Sequence, residues 1–220
     1  MTSLRLVLAA ATAATLVLPA RAADLTPSEL AQALQRKYDT IKDFSADFVH
    51  VYQGGVLRKR LTERGRLLVK KPGKMRWTYT APDEKLFVSD GVKLYSYIPQ
   101  DRQVIVSAVP RDDQASTPTL FLAGKGDLAR DFTASAAEVP EGMAPGTRAL
   151  KLVPKTPQQD YDWLVLAVDL ATFQIRGLVT VDAQGGQSSF SFTNLKENVR
   201  PADNEFAFRI PRGVDVISTP

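Results

Sequence analysis

The chain has 220 residues, and its 28 Lys and Arg against 24 Asp and Glu give a net charge of +4 at neutral pH. Cysteine is absent, which excludes thiol nucleophiles, cysteinyl zinc sites and any disulfide framework. With only one histidine in addition, we expect no transition-metal site and no cofactor that a metal would hold.

The first 22 residues have the pattern of a cleaved secretion signal. Arg5 gives a positive start, residues 6–18 form an apolar run, and Ala20-Arg21-Ala22 supplies an A-x-A cleavage site. The apolar run is too short to span a bilayer, so an uncleaved anchor is the weaker alternative. We expect an exported, soluble chain of one domain over residues 23–220. Loss of Arg5 and Arg21 lowers the net charge from +4 to +2, which is too small to indicate nucleic-acid binding.

A helix is predicted to open the mature chain. Thr26 suits the N-cap, Pro27 the first helical position, and Glu29 completes a capping box. One apolar stripe then appears at helical spacing, formed by Leu30, Leu34, Tyr38 and Ile41. We expect this stripe to pack on a sheet.

From Phe44 onwards the apolar period changes to two, which indicates β-strands. Asp90-Gly91 is a strong hairpin signal, and residues 70–73 form a second turn. The predicted strands of this first half are 44–52, 56–69 (one strand or two), 75–79, 85–89, 92–98 and 103–109. Together they predict an antiparallel meander.

The second half continues the pattern after a polar, turn-rich interval at residues 110–118. Residues 119–124 form an apolar run between Pro118 and Gly124 that is typical of a brief helix. The predicted strands that follow are 128–135, 148–154, 163–170, 173–182, 187–195 and 205–210. Ten or eleven strands against two or three helices predict a mainly β (α+β) fold, either a large antiparallel sheet or an open barrel.

The sequence does not nominate a catalytic centre. His50 lies within a predicted strand, and no neighbouring residue is marked as its nucleophile or carboxylate partner. No G-x-S-x-G motif occurs, and the G-x-G-x-x-A match at residues 124–129 is not preceded by a strand. We therefore predict that the protein is not an enzyme.

Apolar side chains exceed what one sheet face can pack against one helix. They form either an ordinary barrel core or a concave surface partly open to a hydrophobic ligand, with Leu120-Phe121-Leu122 as its lid. Composition does not separate the two. The candidate lining residues are Phe48, Met75, Trp77, Tyr79, Leu86, Val88, Leu94, Tyr95, Tyr97, Val104 and Val106.

A run of basic residues accompanies the same strands. One interpretation is a solvated strand face that discourages edge-to-edge aggregation. The other is a surface that docks on an acidic partner or an anionic membrane. The candidate docking residues are Arg58, Lys59, Arg60, Arg64, Arg66, Lys70, Lys74 and Arg76.

Several of these segments also occur together in one known family. Val69-Lys70-Lys71-Pro72-Gly73-Lys74-Met75-Arg76-Trp77, followed by Val88-Ser89-Asp90-Gly91 and Leu94-Tyr95-x-Tyr97, resembles the periplasmic outer-membrane lipoprotein carrier family (LolA). The opening helix and the segments 44–48, 152–155 and 206–213 match in the same order. The resemblance covers essentially the whole mature chain.

The resemblance implies an open half-barrel of antiparallel strands with helices lidding its concave face, and a monomeric chaperone that needs no cofactor. Members accept triacylated lipoproteins from an inner-membrane ABC complex and pass them to an outer-membrane receptor lipoprotein. The family usually has Arg before the proline of the turn, where this chain has Lys71. Lys71 and Pro72 are accordingly the residues that the resemblance assigns to lid closure and handover.

Two other functions remain open from the sequence. One is a periplasmic sensor or lipid-binding module of related fold that regulates a membrane signalling protein, although such proteins usually add a second domain. The other is an enzyme that acts on lipids.

Overall fold

The computed structural model describes residues 25–54, 59–109, 121–124, 126–158, 161–182 and 184–219. The predicted secretion signal, the docking candidate Arg58 and the lid candidate Leu120 lie outside these ranges. The described residues include helices α1 (Pro27–Thr40) and α2 (Leu128–Asp131), and Phe121 and Leu122 are also helical.

The strands are β1 (Asp43–Gln53), β2 (Arg60–Lys70), β3 (Lys74–Ala81), β4 (Lys85–Asp90), β5 (Lys93–Ile98), β6 (Gln103–Ala108), β7 (Phe132–Ala137), β8 (Thr147–Pro154), β9 (Trp163–Asp169), β10 (Ile175–Val181), β11 (Gln187–Glu197) and β12 (Asp215–Ser218). They form one sheet in the order β12-β6-β5-β4-β3-β2-β1-β11-β10-β9-β8-β7. The sheet is open, because β12 and β7 stand at opposite edges. The predicted mainly β, open architecture is confirmed, with twelve strands in the described residues.

Helix α1 begins where the capping signals place it. The Glu29 amide donates to Thr26 Oγ1 over 3.3 Å, and the Thr26 amide donates to Glu29 Oε2 over 2.8 Å. These two bonds satisfy amides that the first helical turn would otherwise leave unpaired. The predicted stripe is buried against the sheet, and the face of the sheet that α1 covers is called the inner face below.

The predicted strand 205–210 is wrong, and the predicted strand 128–135 is wrong in its first four residues, while residues 132–135 lie in β7 as predicted. Residues 128–131 are helical because Asp127 caps them, its carboxylate accepting from the Arg130 amide over 2.7 Å. Residues 203–206 form a 3-10 helix, and the last strand lies further on as β12. This strand pairs in parallel with β6, whereas every other pair is antiparallel as predicted.

Residues 203–208, called the C-terminal segment below, do not form the predicted strand because of how they pack. Phe206 and Phe208 are two positions apart, as residues on one face of a strand would be, but they insert their side chains against the outer face of the sheet. Phe206 is 1% exposed, and the Phe208 ring lies 5.2 Å from that of Tyr95 and 5.9 Å from that of Tyr97. Apolar burial, and not ladder pairing, accounts for the period of two here.

Candidate functional site

Five aromatic residues from three separate strands meet on the inner face. Phe48 of β1 is in edge-to-face contact with Trp77 and Tyr79 of β3, at centroid distances of 5.1 and 4.8 Å. Phe190 of β11 lies 5.2 Å from Trp77, and Phe192 lies 6.3 Å from both. These five residues are called the inner aromatic cluster. Edge-to-face packing of this kind favours a firm and largely apolar surface.

Three members of this cluster are among the residues predicted from the sequence, and two are not. Phe190 and Phe192 follow the alternation Ser-Phe-Ser-Phe within β11, which could have identified them. Met75 and Leu94, both predicted, also contribute to the inner apolar core, Leu94 from its margin.

The remaining lining candidates lie on the other side of the sheet. Directly paired residues share a face, and Val88 pairs with Arg76 and Tyr95, which are neighbours of the inward residues Trp77 and Leu94. The expectation that all eleven candidates line one surface is therefore wrong. The residues placed on the outer face are Leu86, Val88, Tyr95, Tyr97, Val104 and Val106. Part of this set is covered by the C-terminal segment that carries Phe206 and Phe208.

Residues 121–124 cover the inner face beside the end of α1. The Phe121 ring stacks on Tyr38 of α1 at 5.0 Å, and the Tyr38 hydroxyl donates to the Leu122 carbonyl. The Gly73 amide of the β2–β3 turn donates to the Ala123 carbonyl over 2.9 Å. Phe121, Leu122 and Ala123 are all buried. This short stretch, called the 121–124 segment, is thus held by one helix and one turn.

Lys71 lies in the β2–β3 turn and contacts both α1 and the 121–124 segment. Its ammonium donates to the Tyr38 carbonyl and lies 3.5 Å from the centroid of the Tyr38 ring. Its methylene groups pack against Gly124, where an added Cβ would come within 2.7 Å of Lys71 Cδ. Burial lowers the pKa of Lys71 to about 8, an effect that Asp39 partly opposes. Pro72 follows Lys71 in the turn, whose Gly73 carbonyl accepts from Ser89 Oγ over 2.7 Å.

A narrow cleft, with a volume of only about 20 Å³, opens beside the 121–124 segment. It is almost wholly apolar, and its walls include Tyr38, Ile41, Phe44, Leu122, Phe173 and Phe192. Since α1 and the 121–124 segment form one side of it, movement of that segment would enlarge the cleft toward the inner aromatic cluster.

Comparison with known proteins identifies the family. Residues 39–209 match the family model described as "Outer membrane lipoprotein carrier protein LolA". The chain belongs to the LolA family. An outer-membrane lipoprotein carrier protein of Chromohalobacter salexigens is 32% identical over 211 residues, which cover 95% of each chain. A carrier of the same description from Pseudomonas syringae pv. tomato is 31% identical over 204 residues, covering 91% of this chain and 92% of that one.

A solved structure shows the same fold in a more distant protein. An uncharacterized conserved protein from Thermus thermophilus superimposes with a TM-score of 0.51 at 14% identity, covering 86% of this chain and 99% of that one. Within the part of the LolA-family chain that the structure describes, no helix has the length and apolar character needed to cross a membrane.

The single histidine of this LolA-family chain does have partners. His50 Nδ1 lies 3.0 Å from Glu63 Oε2, and His50 Nε2 lies 3.2 Å from Ser188 Oγ. Lys85 donates to the other oxygen of Glu63, and the His50 ring stacks on Phe190 at 4.1 Å. His50, Glu63, Lys85 and Ser188 are called the polar cluster. Burial lowers the pKa of His50, although Glu63 acts in the opposite direction, so the ring is neutral at neutral pH.

The polar cluster resembles a Ser-His-carboxylate triad in its connectivity but not in its surroundings. Glu63 is shared with Lys85, which weakens its ability to stabilise an imidazolium. Ser188 lies on a strand that pairs on both sides, with Tyr52 and with Thr180, so its amide is committed to the ladder. An amide in that position is not free to stabilise an oxyanion. The arrangement therefore favours binding of a polar group over hydrolysis.

The basic residues of the sequence analysis divide into two sets. Lys70 and Lys74 both contact Asp203, at 2.8 and 3.0 Å, and Arg76 donates to the Glu205 carbonyl. These three cations therefore hold the C-terminal segment on the outer face. The exposed members are Lys59, Arg60, Arg64 and Arg66, of which the three arginines follow the outer face of β2.

Proposed function

We propose that the protein is a periplasmic lipoprotein chaperone. In this proposal it binds the acyl chains of triacylated lipoproteins released by an inner-membrane ABC complex and delivers them to an outer-membrane receptor lipoprotein. Membership of the LolA family supports the general role of lipoprotein carrier. The triacylated cargo, the ABC complex as donor and the receptor lipoprotein as acceptor are part of our proposal.

The observation that carries the proposal is an apolar inner face whose margin the 121–124 segment covers. In this proposal acyl chains contact the inner aromatic cluster, and the 121–124 segment, which contacts α1 and the β2–β3 turn, moves aside to admit them. Phe48, Met75, Trp77, Tyr79, Leu94, Phe121 and Leu122 are the members of the original lining set that this geometry retains.

The energetics explain why a cover is needed. Each acyl methylene removed from water contributes about 0.8 kcal/mol, so a triacylated protein cannot remain exposed in an aqueous compartment. A carrier that used all of this energy would not release its cargo. The contacts of Phe121 and Leu122 with α1 must break before chains can enter, and this cost offsets part of the binding energy.

Depletion of the protein in cells tests the proposed function. We expect outer-membrane lipoproteins to accumulate in the inner membrane, and fractionation of the two membranes followed by immunodetection would measure it. Normal sorting after depletion would contradict the proposal. Release of a membrane signalling protein, with sorting intact, would favour the sensor function instead.

We expect the stability of the protein to depend on pH through Lys71. Its pKa of about 8 in the folded protein is below the value of about 10.4 that a solvated lysine has. Between these values the unfolded chain binds more protons, so the contribution of Lys71 to stability rises with pH over that range. Lys71→Arg is the matched control, because a guanidinium stays protonated throughout. Urea unfolding at pH 7 and 9.5 should show the difference between wild type and variant shifting in favour of wild type. A pH-independent difference would contradict this.

The exposed arginines of β2 are proposed to dock on an acidic partner. Arg60, Arg64 and Arg66 point away from the inner face, so a partner can contact them while cargo is bound. Arg64→Glu should slow lipoprotein transfer about tenfold at low salt and much less at high salt, because steering of this kind is screened. Transfer from vesicles that contain the ABC complex would measure this, and an equal effect at both salt concentrations would contradict it.

A further inference from the structure

Acyl-chain binding leaves the polar cluster of the inner face without a role. We propose that it binds the ester or amide carbonyl groups at the head of an acylated ligand. This inference rests on the proposed function, since it concerns the same inner face and names the part of the cargo that the cluster contacts.

The position of the polar cluster along β1 suits this role. Phe44 lines the cleft beside the 121–124 segment, Phe48 belongs to the inner aromatic cluster, and His50 follows on the same face. His50 lies six positions after Phe44 in the strand, a distance of about 20 Å at 3.3 Å per residue. A chain that lies along the aromatic rings with its end near the 121–124 segment would therefore bring its head group to His50.

The neighbouring strands place their polar residues beside His50 in the sheet register. Glu63 pairs directly with His50 across β1 and β2, and Lys85 pairs with Tyr79 across β3 and β4. The Lys85 ammonium lies 6.0 Å from the centroid of the Tyr79 ring. The polar cluster thus borders the aromatic rings directly, as the head of a bound chain requires.

The polar cluster also retains hydrogen-bonding capacity. Both oxygens of Glu63 are engaged, by His50 and by Lys85, and its side chain is 5% exposed. The Lys85 side chain is 24% exposed, and Glu63 accepts one of its three N–H groups. The remaining N–H groups suit an oxygen acceptor on a ligand. Because Lys85 is more exposed than Glu63, its ammonium is the donor that a ligand carbonyl can reach.

The polar cluster carries no net charge with a neutral histidine. The positive Lys85 and the negative Glu63 cancel, and burial lowers the pKa of His50, which favours the neutral ring. A site with no net charge favours an uncharged acceptor over an anion such as a phosphate group. The ester and amide carbonyls of a triacylated cysteine have this chemistry, and the ester carbonyls of a diacyl phospholipid share it.

The test uses the full mature protein with the ion pair replaced by neutral residues of similar shape. The variant is Glu63→Gln combined with Lys85→Met, which leaves no unpaired buried charge. Dissociation constants are measured for a triacylated cysteinyl peptide, a diacyl phosphatidylcholine and diphenylhexatriene, an apolar dye without carbonyl groups. The double variant Asp169→Asn with Arg176→Met removes an ion pair of 3.3 Å at another place and serves as the control.

We expect the dissociation constant of the triacylated peptide to rise about tenfold in the cluster variant, as loss of one hydrogen bond from a charged donor implies, with dye binding unchanged. The control variant should bind all three ligands like wild type. A tenfold loss confined to the phospholipid would assign the site to that lipid. Unchanged binding of both lipids, or an equal loss for the dye, would overturn the inference. Failure of the wild type itself to bind the triacylated peptide would instead contradict the proposed function.

Discussion

Phe121→Asp should lower the affinity for a triacylated peptide at least tenfold while leaving the sheet folded. Phe121 is 6% exposed and stacks on Tyr38, so a carboxylate at this position would be buried without a partner. Exposing the side chain avoids that cost but removes the apolar ring that the 121–124 segment would otherwise place over the bound chains after it has moved away from Tyr38. Bound chains would then remain in contact with water. A loss of about 1.5–3 kcal/mol, the usual contribution of one buried large apolar side chain, corresponds to a tenfold to hundredfold change.

The sheet should tolerate the substitution because Phe121 is not part of its ladder. Circular dichroism and urea unfolding would check that the strands are intact, and peptide titration would measure loading. Phe121→Leu is the matched control, since it keeps an apolar contact with Tyr38 and should load normally. If Phe121→Asp loaded like wild type, the 121–124 segment would not be the lid.

Local signals in the sequence were sufficient for elements whose period and caps agree. Thr26, Pro27 and Glu29 predict the start of α1, and alternation through Met75, Trp77 and Tyr79 predicts β3 with its buried face. Both are confirmed, because the same residues satisfy local backbone geometry and bury one face. Period and cap did not agree at Asp127, because this cap residue precedes only one helical turn, which is too short to show a helical period.

The assignment of faces could not be made from the sequence. Within one strand the alternation is unambiguous, but the phase between strands depends on the geometry of each turn. Strands β4 and β5 carry apolar residues on both faces: Phe87 and Leu94 lie inward, while Val88 and Tyr95 lie outward. The outward residues are apolar because the C-terminal segment covers part of that face. The sequence of β4 does not indicate that its outer face is covered, because the covering residues come more than a hundred positions later.

The polar cluster was hidden for a related reason. His50 and Ser188 are 138 residues apart, and they meet because β1 pairs with β11 across the middle of the sheet. Single-sequence patterns describe neighbours within an element and its turns. They do not give the pairing of strands that are distant along the chain, so a constellation of this kind becomes visible only in the fold.

Gly65→Ala should destabilise the protein by about 3 kcal/mol, near the upper end of what overpacking a core causes. Gly65 lies in β2 opposite Phe48, and a Cβ built there would come within 2.1 Å of the Thr78 carbonyl oxygen and 2.7 Å of Phe48 Cζ. The pairing between β2 and β3 shifts its register at this residue. A carbonyl in a ladder cannot rotate away as a side chain would. The strand must therefore separate from β3, or the Phe48 ring must leave the inner aromatic cluster.

Gly54→Ala is the matched control, because the nearest atom to a Cβ there is Tyr52 Cε1 at 3.8 Å, an ordinary van der Waals distance. Its free energy of unfolding should stay within about 0.5 kcal/mol of wild type. Urea unfolding of both variants measures the contrast, and equal values would show that β2 and β3 adjust without cost. Binding of diphenylhexatriene tests whether the Gly65→Ala substitution also disturbs the inner aromatic cluster. Displacement of Phe48 should weaken diphenylhexatriene binding in Gly65→Ala and not in Gly54→Ala, since Phe48 contacts three other rings of the inner aromatic cluster.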